Sequence, residues 1–204
     1  MLLVNPFIEK AVQLFGTIPT ERKETLLQIS HFIEKKIKAG QNAELTYICT
    51  HNSRRSHFGQ VWGQTAAYYY GIKNVFTYSG GTEATAFNPN AIKTLETAGF
   101  RIRKHTDGAN PHYLVIYATN ELDIICFSKV YNDAANPQKG FCAIMTCIEA
   151  DGVCPIAKGA ELRVTCPYGD PKAFDDTPIQ NEKYLERCLQ IATETLWAFS
   201  QVKK

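Results

Sequence analysis

The stretch Glu44-Leu45-Thr46-Tyr47-Ile48-Cys49-Thr50-His51-Asn52-Ser53-Arg54-Arg55-Ser56-His57-Phe58 decides how this chain is read. Residues 44 to 48 have the composition of a buried strand ending at Cys49. From about Arg55 the apolar positions Phe58, Val61, Trp62 and Ala66 recur at helical spacing until Gly71. The unit is strand, loop, helix. Five residues separate Cys49 from Arg55. A loop of that length before a helix N-terminus can curl its backbone N–H groups around a tetrahedral oxyanion, while an arginine clamps the anion with two parallel bonds. A thiol in such a ring sits among cations and helix-end amides, the surroundings that lower its pKa from about 8.5 and make it a nucleophile. Cys49 is therefore the candidate nucleophile. Thr50, His51, Asn52, Ser53, Arg54, Arg55 and Ser56 are the candidate oxyanion-binding residues, with Ser56 placed to bond the sulfur and Asn52 to brace the loop. The competing reading is a buried cysteine at a strand end, followed by unrelated arginines that begin a helix.

The same alternation continues downstream. A second strand is expected over residues 75 to 78, a turn at Gly80 and Gly81, and a helix capped by Asn88 and Pro89 that carries Ile92 and Leu95 and stops at Gly99. Further strands are expected over 113–117, 122–127, 141–146 and 162–166, the first two joined by a hairpin near Thr119 and Asn120. Thr177, Pro178 and Gln180 read as a capping-box start to a last helix with Tyr184, Leu185, Cys188, Ile191, Leu196 and Phe199 on its apolar face. Strands alternating with helices imply an α/β fold with an open, mostly parallel four-stranded sheet flanked by helices. Upstream, Asn5 as N-cap, Pro6 and Gly16 frame a short helix. Leu26, Leu27, Ile29, Phe32, Ile33 and Ile37 then stripe a second helix ending at Gly40. Residues 1–43 are thus an expected helical N-terminal extension and 44–204 the expected catalytic domain.

Composition removes several classes of function. With 204 residues, 45% hydrophobic and 21% charged, the chain can bury a full core, and it has no apolar run of about 18 residues to span a bilayer. Membrane insertion is not expected. Lys+Arg at 22 against Asp+Glu at 20 leaves a net charge of +2, without the basic excess of a nucleic-acid binder. The N-terminus lacks a basic segment ahead of an apolar stretch and meets Glu9 early, so no signal peptide is read and a cytoplasmic location is expected. Seven cysteines, an odd count, then argue for free thiols over a disulfide framework. Cys126, Cys142, Cys166 and Cys188 fall on apolar periodicities and read as core. A metal site would need more well-spaced ligands than Cys142 and Cys166 supply, so no metal is expected. His31, His57, His105 and His112 receive no catalytic assignment.

The loop resembles that of the low-molecular-weight protein tyrosine phosphatase superfamily, Cys-x-Gly-Asn-x-Cys-Arg-Ser. Cys49, Asn52, Arg55 and Ser56 match; His51 stands where that family has glycine and Arg54 where it has cysteine. Histidine enters left-handed backbone space more readily than a bulky aliphatic residue. Chemistry on the thiolate also needs a proton donor for the departing oxygen, and Asp170-Pro171, after a strand at the carboxyl edge of the sheet, is the candidate. An Asp-Pro pair occupies this region in the family, which implies a general-acid role for Asp170. Asp175 and Asp176 compete for that role but read as solvated residues of the loop before the last helix. The run Cys147-Ile-Glu-Ala-Asp-Gly-Val-Cys154-Pro155 resembles the thioredoxin-coupled arsenate reductases of the same fold, with Ala150, Asp151 and Pro155 in register, and so does Gly81 through Asn90, GTEATAFNPN. The similarity covers most of residues 44 to 202. It does not cover 1–43, and about 107–140 reads as a strand-rich insertion.

This resemblance implies reduction of arsenate with electrons from thiols and no metal or organic cofactor. Cys49 attacks the anion and Asp170 protonates the departing oxygen. Cys147 then displaces arsenite to form a disulfide with Cys49, Cys154 resolves it into a Cys147 to Cys154 bridge, and thioredoxin reduces that bridge. If 147 to 154 were helical, the Cα atoms would stand about 10.5 Å apart, beyond the roughly 7 Å limit for a disulfide, so a bridge requires unwinding, for which Asp151-Gly152 offers a turn. Two alternatives stand beside it. A phosphatase acting on phosphotyrosine or a small phosphate ester needs Cys49, Arg55 and Asp170 but neither later cysteine. A non-enzymatic oxyanion-binding or redox-sensing module would use the N-terminal helices as a partner surface.

Overall fold

The computed structural model describes residues 1–148 and 157–203. Helices α1 (Asn5–Gln13) and α2 (Thr20–Lys38) come first. They are followed by β1 (Ala43–Cys49), α3 (Arg55–Tyr69), β2 (Val75–Gly81) and α4 (Pro89–Thr97). Three short strands, β3 (Arg101–Lys104), β4 (Tyr113–Ile116) and β5 (Ile124–Cys126), lead to β6 (Phe141–Met145) and β7 (Ala160–Thr165). A 3-10 turn (Pro171–Phe174) and the long α5 (Gln180–Ser200) follow. The main sheet has the order β2-β1-β6-β7 with every pair parallel, as the alternation of elements dictates. A separate antiparallel sheet has the order β3-β4-β5. Among the described residues no helix is long and apolar enough to cross a membrane.

Alternation along β6 distributes the core. Cys142 and Ile144 face a large apolar cluster that contains Ile8 and Ala11 of α1, Ile29 and Ile33 of α2, Trp62 of α3 and Tyr184 and Phe199 of α5. Phe141, Ala143 and Met145 face a smaller one, with Ile48, Cys49, Cys147 and Ala157. The N-terminal helices are thus built into the main core, and Phe7 of α1 stacks on Trp62 with ring centroids 5.2 Å apart. α3 lies close on β1 because Gly59 and Gly63 leave room for the ring of Tyr47; a Cβ at Gly59 would overlap that ring.

Several local expectations are corrected. Gly80 and Gly81 form the last residues of β2, not a turn, since Ile48 and Cys49 pair with them. Their lack of a side chain serves close approach. A Cβ on Gly80 would collide with the Tyr131 backbone, and one on Gly81 would lie 2.6 Å from Thr50 O and 2.8 Å from Asn52 N. β5 is shorter than the expected 122–127 strand, and Leu122 is 91% exposed. Thr177 does not cap α5: its hydroxyl donates to Phe174 O and the helix starts after Ile179. Val4, not Asn5, is the residue before α1. β3 was not foreseen. Asn88 does cap α4, its Oδ1 accepting from Asn90 N and Ala91 N.

Candidate active site

The carboxyl ends of β1, β6 and β7 lie side by side, so whatever follows them shares one edge of the sheet. After β1 comes the loop. Asn52 turns it, with φ 44°, in the left-handed region that asparagine tolerates; His51 is not in that region, so the strain falls one residue later than the motif comparison implied. Fully buried Asn52 donates from Nδ2 to Ser56 Oγ at 2.9 Å, and its Oδ1 accepts from Lys129 N at 2.9 Å. Ser56 Oγ is in turn 3.1 Å from Cys49 Sγ.

The loop's carbonyls are held outward. Cys49 O accepts from Thr82 N at 3.2 Å and Thr50 O from Glu83 N at 3.0 Å. His51 O takes the hydroxyls of Ser128 and Thr85 at 2.9 and 3.1 Å, and Ser53 O takes Asn88 N at 3.0 Å. Among the described residues, none of the amides of Thr50 to Arg54 donates to a backbone carbonyl. Acceptors engaged outside and donors left over inside is the polarity of an anion-binding nest. Ser53 Oγ donates to Ala86 O at 2.7 Å, and His51 stands at the rim with Nε2 3.2 Å from Glu83 Oε1.

Arg55 opens α3 and is buried, its Nη1 donating to Tyr168 O at 2.9 Å and its Nη2 to Asp170 Oδ2 at 2.5 Å. Asp170 follows β7 and caps the 3-10 turn, accepting Lys172 N on Oδ1 at 3.0 Å. At the far end of that turn Asp175 is not solvated as expected. Its Oδ2 accepts from Arg54 Nη2 at 2.9 Å and its Oδ1 from Tyr184 OH at 2.6 Å. β6 brings the second thiol. Thr146 N and Oγ1 both donate to Ile48 O, at 2.7 and 2.8 Å, so the strand stays against β1 up to the loop. Buried Cys147 follows, with Sγ 3.5 Å from Thr50 Oγ1. Cys49, Arg55, Asp170 and Cys147 therefore meet at one sheet edge, whereas Cys154, with Asp151 and Pro155, lies outside the described residues.

The other thiols differ in kind. Burial pushes Cys126 and Cys188 up to about 12 and Cys166 to about 11, and raises Cys142 as well, which keeps all four protonated and unreactive at neutral pH. A cavity of about 590 Å³ lies elsewhere, between β2 and the small sheet, lined by Phe76, Tyr117, Phe127 and Lys129 but by none of these site residues. Sequence reasoning missed Lys129 N and Ser128, supports of the loop that carry no motif of their own, and gave no role to Thr82 within the Gly81 to Asn90 stretch.

His57, one turn into α3, backs the loop. It stacks on Phe87 at 4.0 Å with Nδ1 3.2 Å from Ser79 Oγ. Burial, then the charge of Lys129, holds its pKa well below 6.5. The native state therefore keeps His57 neutral while the unfolded chain takes up a proton below about 6.5. Its contribution to stability is complete above that pH and falls as the pH drops further, by up to about 1.4 kcal/mol per pH unit. Urea unfolding between about pH 7.5 and 5.5 is expected to show this slope and His57→Gln to flatten it; an equal slope in the variant would remove His57 as its source.

No family model matches the chain. Arsenate reductase from Bacillus cereus is 32% identical over 126 residues, 61% of this chain and 74% of that protein. The arsenate reductase of Bacillus anthracis matches to the same extent, 32% over 126 residues. Among solved structures, a YwlE mutant from Bacillus subtilis superposes with a TM-score of 0.54 at 12% identity, covering 80% of this chain and 100% of that one. The low-molecular-weight protein tyrosine phosphatase from T. tengcongensis gives 0.51 at 12% identity, covering 78% and 99%. At such identities the solved structures speak for the fold, and the curated relatives speak for descent. A parallel sheet of this order with the Cys49 to Ser56 loop on its central β1 is the fold shared with those solved structures, and, taken with the curated relatives, it means that the chain belongs to the arsenate reductase family.

Proposed function

We propose that the protein reduces arsenate to arsenite by way of a thiol-arsenate adduct and a disulfide relay. Cys49 attacks arsenic(V) held by the loop amides and Arg55, and the displaced oxygen leaves as water with a proton from Asp170. Cys147 then attacks Cys49 Sγ. The sulfur–sulfur bond forms, the sulfur–arsenic electron pair passes to arsenic, and arsenite departs as arsenic(III). Two thiols have been oxidised and one arsenic reduced by two electrons. Cys154 exchanges into the bridge, and a cytoplasmic dithiol protein of the thioredoxin type returns both sulfurs to thiols.

The observation that carries this reading is the second thiol at the loop, Cys147 Sγ 3.5 Å from Thr50 Oγ1 on the strand next to Cys49. Hydrolysis of a phosphate ester would use Cys49, Arg55 and Asp170 and leave Cys147 without a role. Stoichiometric arsenate without external thiol is expected to release one arsenite per chain and lower the intact mass by two hydrogens. Cys147→Ser is expected to suppress that release by about 10³-fold or more and to leave the mass of any untrapped chain unchanged. Arsenite release at the parent rate from the variant would sink the relay.

A further inference from the structure

Two adjacent arginines grip the two ends of one turn. Arg55 bonds Asp170 ahead of the 3-10 turn and Arg54 bonds Asp175 behind it. The second pair is closed into a triangle by α5: Tyr184 OH accepts from Arg54 Nε at 2.6 Å and donates to Asp175 Oδ1 at 2.6 Å. The pair is largely screened from water, with 11% of the Arg54 side chain and 25% of the Asp175 side chain exposed. Among the described residues, no hydrogen bond or ion pair joins either of them to Cys49.

The first pair cannot last through the reaction. Arg55 divides its fork between Tyr168 O and Asp170, and an arriving oxyanion needs that fork. In the Arg55 bond Asp170 Oδ2 is an acceptor, whereas a donor is required once the anion is seated. As Arg55 turns to substrate, the Asp170 carboxylate loses its arginine partner. The Arg54 to Asp175 pair is then the carboxylate–arginine tie between this segment and the loop that still stands among the described residues.

We propose that Arg54, Asp175 and Tyr184 form a standing tether that keeps Asp170 within reach of the departing oxygen while Arg55 changes partner, which makes them positioning residues for proton transfer. This rests on the reading of Asp170 as the proton donor, and on that reading only Arg55 of the two arginines meets the anion. Loss of the tether therefore slows the chemical step and leaves anion affinity alone.

Single-turnover release of arsenite, followed by chemical quench over a range of arsenate concentrations, separates limiting rate from half-saturation. Asp170→Asn is expected to lower the limiting rate about 10²-fold. Asp175→Asn is expected to lower it about tenfold, with half-saturating arsenate unchanged within about twofold. The double variant Asp170→Asn with Asp175→Asn is expected to be no slower than Asp170→Asn alone, because a tether has nothing left to position. Additive losses, a shift confined to half-saturation, or a parent-like rate in Asp175→Asn would each overturn the tether while leaving the acid in place. A parent-like rate in Asp170→Asn would instead overturn the acid, and the tether with it. Should Asp175→Asn fail to fold, Tyr184→Phe removes two of the triangle's three bonds, leaving Arg54 to Asp175, and is expected to slow the limiting rate about threefold at unchanged half-saturation; no slowing there would equally overturn the proposal.

Discussion

Cys49→Ser is expected to lower arsenate turnover by about 10⁴-fold or more while leaving anion binding within about threefold of the parent. The two halves of this expectation have different origins. Binding draws on the spare amides of the loop and on Arg55, neither of which is altered by exchanging sulfur for oxygen. Turnover draws on sulfur as the attacking atom, because a thiol is an intrinsically strong nucleophile near neutral pH and a serine hydroxyl is not. Phosphate or arsenate titrated calorimetrically into the variant measures the first, and arsenite release the second. Loss of binding together with turnover would mean that the sulfur, through its contact with Ser56 at 3.1 Å, holds the loop in shape instead of doing chemistry.

Arg55→Ala should have the next largest effect, and on both quantities. A bidentate, charge-assisted contact to an anion contributes about 1.5–3 kcal/mol, so arsenate affinity is expected to weaken roughly 10- to 150-fold. The limiting rate is expected to drop as well, because developing charge on the transferred group loses its clamp. Arg55→Lys keeps the charge but presents one nitrogen in place of a fork, so it cannot satisfy Tyr168 O and an oxyanion together. It is expected to fall between parent and alanine. An alanine variant that binds arsenate as tightly as the parent would move the anion away from this arginine.

The strand, loop and helix around Cys49 are legible in the sequence because local and global demands agree there. An apolar strand buried on both sides has to precede the loop, and a helix packed on that strand follows it. The failures are equally physical. Gly80 and Gly81 look like a turn because glycine usually marks one, yet here they are strand residues pressed between the loop and the backbone of residues 129 to 131. β3 reads Arg-Ile-Arg-Lys, so a single half-buried isoleucine is all the alternation it offers. Thr177 has the chemistry of a helix cap and spends it on the preceding turn. Asp175 could only look solvated, since its partner Arg54 is 121 residues away in the chain. A motif displays the groups that do chemistry; the groups that hold them come from wherever the sheet order brings them.

That order also governs when the site comes together during translation. The bond from Thr146 to Ile48 spans 98 residues and the one from Arg55 to Asp170 spans 115. A nascent chain therefore exposes Cys49 long before the arm carrying Asp170 and Asp175 has left the ribosome. Stalled or C-terminally clipped products would be inert, not partly competent, and their uncovered cysteine would be open to capture by oxidants or thiophilic arsenite.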